Sequence, residues 1–371
     1  MNANVLGFGT ATPPFTIAQE HAAAIAATLC PGDEQLTKLL PLFYRQTGIK
    51  QRGSVILKSA YDPNEPQQEF FRVAQSADDH GPSTAERMQL YELNATRLAL
   101  VASERALSDA GVDARQITHL VTVSCSGFSA PGYDIELLQQ LGLSPDTPRT
   151  HVGFMGCHGA LNGLRVAHAF AASHPEAAVL VCAVELCSLH HLYSWRRDHL
   201  VANALFADGA AATICGGAAF AQRAPLRLIR SGSTIVPETL QHMAWQIRDN
   251  GFEMTLSQEV PVVIEQRLAA WLKPWLAQSG YPLDTMGSWA IHPGGPRILS
   301  ASAKALDLTD DALQVSQHVL EEHGNMSSPT ILFILQEFRR RALPFPWVAL
   351  AFGPGITIEA AIFAGPEDAA L

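Results

Sequence analysis

Three stretches of this chain leave little choice of architecture. "HLVTVSC" (119–125), "AAVLVCAVEL" (177–186) and "GAAATICGG" (209–217) are short, almost wholly apolar, and rich in Val, Ile and Ala. Strands of that kind are buried on both faces, so something must cover the sheet above and below. Helical patterns supply the cover. "AERMQLYELNATRLALVASERALSDAG" precedes the first strand and stops at Gly111. "GALNGLRVAHAFAAS" (159–173) places Leu161, Leu164, Ala167 and Phe170 on one helical face before Pro175. The alternation predicts a layered α/β fold.

The second part of the chain repeats the texture. "SWAIH" (288–292) predicts a short strand ending at a Pro-Gly-Gly loop, "SSPTILFILQEFRRRAL" a helix, and "WVALAFGPGITIEAAIF" (347–363) two strands about a Gly-Pro-Gly turn. A new pattern begins near residue 220, which divides the chain into residues 1–220 and 221–371. With 371 residues, two packed halves are expected rather than one core.

Composition narrows the class of function. Lys and Arg number 25 against 35 Asp and Glu, for a net charge of −10, and no long basic run occurs. Nucleic acid and anionic membrane are therefore not expected as main partners. No apolar run reaches the ~18 residues that a bilayer requires, and the opening "MNANVLGFGTATPP" reads as a strand and loop rather than a signal peptide. The six cysteines form no C-x-x-C pair and read as reduced thiols of a cytoplasmic protein.

Cys157 sits in "GFMGCHGALNGL" (153–164), among small residues at the start of a predicted helix. The helix N-terminus is expected to lower its pKa. On this segment alone a nucleophile and a small buried thiol fit equally well. His292 ends a predicted strand and opens "HPGGPRIL", a position where functional groups of α/β folds gather. Asn325 lies in "EEHGNMSSPTILFIL", where it could cap a helix or donate its amide to a developing oxyanion. "CSLHHLYSWRRDH" (187–199) has a spacing that fits no familiar zinc site.

Together these segments resemble the type III polyketide synthases, the chalcone-synthase-like enzymes, with a Cys–His–Asn triad in the family's order. "SGFSAPGYD" (126–134), "ALFADGAAA" (204–212) and "FGPGITIEAAI" are similar to further family segments, with Ala351 in place of the first glycine of the last. The resemblance covers nearly the whole chain. It implies a thiolase-like αβαβα five-layered sandwich of two similar halves, a homodimer, an acyl-CoA starter and malonyl-CoA as substrates, and no metal or organic cofactor. It assigns acyl loading to Cys157 and an ion pair with its thiolate to His292, not to the adjacent His158. It gives malonyl carbonyl binding to His292 and Asn325. Decarboxylation, Claisen condensation and cyclisation to a pyrone or resorcinol-type product would follow.

The same resemblance places Phe206 between a CoA tunnel and the cavity, and Ser327, Gly353 and Pro354 on the cavity wall. It aligns Trp245 with a plant glycine, Met254 with a plant gating phenylalanine, and Cys125 and His190 with plant threonines. These departures point to a bacterial enzyme with its own starter. Lys38, Arg45, Lys50 and Arg52 are the candidates for gripping CoA. Alternative activities are a single condensation like that of ketoacyl-ACP synthase III, and an acyl-CoA thioesterase or cysteine hydrolase.

Overall fold

A computed structural model describes residues 3–30, 34–60, 62, 65 and 67–366. The first half runs β1 (Ala3–Ala11), β2 (Thr16–Ala18), α1 (Gln19–Leu29), α2 (Glu34–Gln46), β3 (Gln51–Gly53), α3 (Thr84–Ala110) and β4 (His119–Ser124). It continues with α4 (Tyr133–Leu141), β5 (Arg149–Gly153), α5 (Gly159–Ser173), β6 (Ala178–Leu186), α6 (Arg197–Leu205) and β7 (Asp208–Gly216). The second half runs β8 (Leu226–Ile235), β9 (Met243–Arg248), β10 (Gly251–Leu256), α7 (Val260–Gln278) and β11 (Ser288–Ile291). It ends with α8 (Pro296–Leu306), α9 (Gln314–His323), α10 (Thr330–Arg340), β12 (Trp347–Gly353) and β13 (Thr357–Ala364).

Strand order is β11-β12-β13-β8-β1-β7-β6-β4-β5. A short antiparallel ladder, Ala3–Val5 against Leu226–Leu228, joins the two halves into one sheet. The period-two alternation of buried strands then sorts side chains into layers. Val179 and Val181 of β6 face the centre, where they meet Leu161 and Leu164 of α5 and Ile331–Leu335 of α10. Their neighbours Ala178, Leu180 and Cys182 face outward onto α3 and α4. In the other half Val348 and Leu350 of β12 face α7 and α8, while Trp347 and Ala349 face the centre. The result is the five-layered, thiolase-like sandwich, with α5 and α10 as its middle layer.

Local chemistry sets the ends of the elements. Ser83 and Glu86 form a capping box that starts α3, and Gly111, at φ +60°, ends it where a side chain would be strained. The predicted segments 119–125, 159–173, 177–186 and 209–217 correspond to β4, α5, β6 and β7 within a residue. The β9–β10 hairpin was not read from the sequence, although "RDNG" at its turn is a hairpin signal. Among the described residues no helix is long and apolar enough to cross a membrane.

Candidate active site

Cys157 lies in a tight 3-10 turn, Gly156–His158, that leads directly into α5. Glycine at 156 is required twice over. Its φ is +73°, and a Cβ there would stand 2.6 Å from Cδ of Pro354. On the other side a Cβ at Gly353 would stand 2.2 Å from Cδ2 of His158. The "FGPG" loop between β12 and β13 therefore presses on the nucleophile's turn from both flanks.

Asn325 is held by backbone. It forms an isolated parallel bridge with Phe206, its N–H donates to Leu205 O at 3.0 Å, and its carbonyl accepts from Ala207 N–H at 2.9 Å. Its side-chain Oδ1 accepts from Ser327 N–H at 2.8 Å. Ser327 has φ +56°, a strained value for a non-glycine, and that hydrogen bond accompanies the strain. The side chains of Asn325 and Ser327 lie close enough to act on the Cys157 thiol. The Ser327 hydroxyl lies 3.5 Å from Cys125 Sγ.

His292 follows β11, and its N–H donates to Leu350 O at 2.8 Å. The side chain is 1% exposed, yet neither ring nitrogen has a hydrogen-bond partner, and neither does Nδ2 of Asn325. Buried polar atoms are almost always paired. The unpaired nitrogens of His292 and Asn325 therefore mark a place shaped for something else.

Electrostatics differ from the sequence expectation. Burial pushes the Cys157 thiol up to about 11, although the polar side chains of Ser327 and Asn325 oppose the shift. Desolvation outweighs the helix-start effect that was expected to lower it. Burial also pushes His292 down to about 3, with charge on nearby His158 acting in the same direction. Both shifts favour the uncharged forms.

Behind Cys125 lies Glu185 of β6, fully buried and with no cation. It accepts from Cys125 N–H (3.0 Å), Ser126 N–H (2.9 Å), Ser126 Oγ (2.6 Å) and Ser328 Oγ (2.6 Å). Burial raises its pKa despite these donors. Sequence reasoning passed over it, although a lone glutamate inside "VLVCAVEL" was a visible signal.

An apolar cavity of about 100 Å³ lies on the far side of Phe206. Ala22, Ile25 and Leu29 of α1 and the segment around Ile56 and Leu57 form one side. Phe206, His190, Trp245, Phe252 and Met254 form the other. Trp245 and Met254 are directly paired across the hairpin, which explains why both reach one cavity. The indole N–H donates to Cys125 O at 2.7 Å. His190 Nε2 lies 2.6 Å from Ser126 O, and its Nδ1 accepts from Phe252 N–H at 3.0 Å, so the proton is on Nε2. Its ring stacks on Phe252 at 4.2 Å. Cys125 does not line this cavity, because its thiol is turned to Glu185 and Ser327. Ser327, Gly353 and Pro354 surround the Cys157 turn instead.

The basic candidates do not act together. Arg52 is turned inward, where its Nη1 donates to Asn203 O (2.8 Å) and Phe206 O (2.6 Å), so it braces the Phe206 backbone rather than gripping a surface phosphate. Lys50 pairs with Glu321 at 2.7 Å. Lys38 and Arg45 are exposed on α2. A second cavity, of about 450 Å³, opens at the N-terminus of α8, lined by Gly294, Gly295, Leu205, Arg197 and Arg297. Among the described residues the one group spaced to hold a metal is His318, Glu321 and Glu322, and Lys50 faces both of its carboxylates.

Known proteins resemble this chain over nearly its whole length. The family models described as chalcone and stilbene synthases match residues 1–219 (N-terminal domain) and 227–365 (C-terminal domain). An alpha-pyrone synthesis polyketide synthase-like protein of Mycobacterium tuberculosis is 32% identical over 97% of this chain and 91% of its own. A 1,3,6,8-tetrahydroxynaphthalene synthase of Streptomyces peucetius is 32% identical over 96% and 91%. Among solved structures, PKS-I of the brown alga Ectocarpus siliculosus superposes with a TM-score of 0.90 at 28% identity, covering 98% of both chains.

Proposed function

The chain belongs to the chalcone and stilbene synthase family of type III polyketide synthases, which are acyltransferases, and on that footing we propose the reaction it performs. It loads an acyl group from a CoA thioester onto Cys157, extends it with malonyl-CoA by repeated decarboxylative condensation, and cyclises the product to a pyrone or resorcinol-type ring. One observation carries this reading: both ring nitrogens of His292 and Nδ2 of Asn325 are buried and unpaired.

The chemistry follows from those atoms. Cys157 gives its proton to His292, and the thiolate attacks the starter carbonyl. CoA leaves as a thiolate and takes the proton back, restoring neutral His292. Malonyl-CoA then places its thioester oxygen before the N–H of His292 and the amide of Asn325. Loss of CO2 leaves an electron pair that becomes an enolate on that oxygen. Each donor held there is worth roughly 3 kcal/mol in the transition state. The enolate carbon attacks the acyl–Cys157 thioester, a carbon–carbon bond forms, and the Cys157 thiolate is released for the next cycle.

The apolar cavity beyond Phe206 suits an aliphatic starter better than a polar aromatic one. Trp245 fills space that a glycine would leave open, which favours few extensions. CoA would lie in the cavity at the start of α8, with Arg197 and Arg297 as phosphate contacts in place of the four residues first considered. The edge strand β5 and the exposed Phe128, Phe154 and Met155 beside Cys157 offer a face for a second copy of the chain. The cytoplasm, where acyl-CoA and reduced thiols coexist, is the expected compartment.

The test is incubation with labelled malonyl-CoA and acyl-CoA starters of graded chain length, with products identified by mass spectrometry. Pyrones or resorcinols from aliphatic starters support the reading. A single β-ketoacyl product formed only with an acyl carrier protein, or free acid without a new carbon–carbon bond, refutes it.

A further inference from the structure

Beside Cys157 lies a buried polar chain that the proposed chemistry does not use. His158 is 3% exposed, and its Nδ1 lies 2.6 Å from Asn162 Oδ1, one turn further along α5. Asn162 Nδ2 donates at 3.1 Å to Oε1 of Glu359 on β13. The other carboxylate oxygen of Glu359 pairs with Arg165 of α5. Glu359 is 2% exposed, whereas Arg165 reaches solvent.

The hydrogen bonds fix the proton on His158. Glu359 accepts from Arg165 through one carboxylate oxygen and from Asn162 through the other, so Asn162 presents its NH2 group to the carboxylate and its carbonyl oxygen to His158. His158 must therefore carry its proton on Nδ1. Its Nε2 faces the Gly353 main chain, where a Cβ would stand 2.6 Å away. The neighbouring imidazole in this corner is His292, which responds to charge on His158.

The chain also crosses the molecule. The turn that leads into α5 carries Cys157 in the first half, whereas β13 lies in the half that supplies His292 and Asn325. An uncompensated shift between halves would move the nucleophile relative to its partners, and an error of about 1 Å in such a site costs on the order of 100-fold in rate.

We propose that His158 is a positioning residue for the Cys157–His292 pair: through Asn162, Glu359 and Arg165 it registers the nucleophile's turn on the second half and keeps an uncharged imidazole beside His292. The proposal rests on the assignment of Cys157 and His292 made above. The charged and titratable groups around His158 are Cys157 and Arg165 on its own segment, Glu359 on β13 and His292 after β11. A proton gained by His158 opposes the proton that His292 must accept from Cys157.

Alkylation of Cys157 by iodoacetamide tests this without any CoA substrate, so the outcome is independent of whether the protein makes a polyketide. The rate is measured from pH 5 to pH 9 by mass spectrometry of the Cys157 peptide, alongside thermal unfolding. His158→Phe is expected to slow alkylation about tenfold at pH 7.5. His158→Gln, which keeps a donor toward Asn162, should restore most of the rate. Arg165→Met, at the solvent end, covers the case in which a buried variant fails to fold, and should slow alkylation about threefold. A wild-type rate in folded His158→Phe, a rate in His158→Gln no better than in His158→Phe, or a wild-type rate in Arg165→Met would overturn the proposal.

Discussion

Two buried corners meet near Cys125, and they treat their polar atoms in opposite ways. In the corner of Cys157, His292 and Asn325, three nitrogens have no partner. In the wall of His190, Trp245 and Phe252, both imidazole nitrogens and the indole N–H are paired. A buried unpaired polar group costs about 1–3 kcal/mol. The first corner holds that cost ready for a ligand's oxygen to relieve, whereas the second has nothing left to offer a ligand but shape. Under the proposed function the first corner reacts and the second sets size. Glu185 joins them, since it accepts from Cys125 and Ser126 on the wall side and from Ser328 beside the triad.

The largest break in this contrast is Cys157→Ala. Without the sulfur no acyl group can be held, and product formation should fall below detection. Mass spectrometry of the protein after incubation with an acyl-CoA should show no mass gain. Continued polyketide synthesis by this variant would move the nucleophile elsewhere, with Cys125 as the first alternative.

A matched pair of substitutions sharpens the contrast. His292→Phe deletes two unpaired buried nitrogens, and stability should hold or rise while malonyl-CoA decarboxylation falls about 100- to 1000-fold. His190→Phe deletes two paired nitrogens and strands the Phe252 N–H and the Ser126 carbonyl. It should destabilise the fold by about 2–4 kcal/mol. Urea denaturation of both variants reads the sign directly. Equal destabilisation by both would show that the corners do not differ as described.

This contrast explains what the sequence could and could not disclose. Buried strands such as 177–186 are legible because both faces must be apolar, and Cys157, His292 and Asn325 are legible because turn-forming residues surround each of them. The pairing of His190 with Ser126 O and of Trp245 with Cys125 O is not legible. It joins side chains to backbone atoms 64 and 120 positions away, and a carbonyl carries no residue-specific mark. Arg52 misled for a related reason: a basic residue in a polar segment reads as exposed until the backbone of Phe206 folds against it. Glu185 and Glu359 were available signals, since each is a single acid inside an apolar strand and must bring donors with it when buried.

Trp245→Gly tests the wall's claim to set size. Removing the indole enlarges the apolar cavity and frees the Cys125 carbonyl, and should cost roughly 3–5 kcal/mol of stability. Longer starters or additional extensions should appear in the product profile. The ratio of products, rather than the total rate, is the measure, because a less stable enzyme loses rate without changing that ratio. An unchanged profile would mean that Trp245 braces the Cys125 strand without limiting the product.

The smallest effect expected is in the pH dependence of the two thiols. Burial holds Cys157 up at about 11 and Cys125 well above its ordinary value. A raised thiol pKa means that the thiolate fraction grows as pH rises, so ligand-free alkylation should climb steadily between pH 7 and pH 10 without a plateau. Cys157 keeps some access to solvent, whereas Cys125 is 6% exposed and already engaged with Glu185 and Ser327. Only Cys157 should react over this range. A plateau by pH 8 would mean that His292 already holds a thiolate in the empty site, and the reactive corner would then be charged before its substrate arrives. Reaction at Cys125 would show that the wall opens, and a shape that opens cannot fix the length of a product.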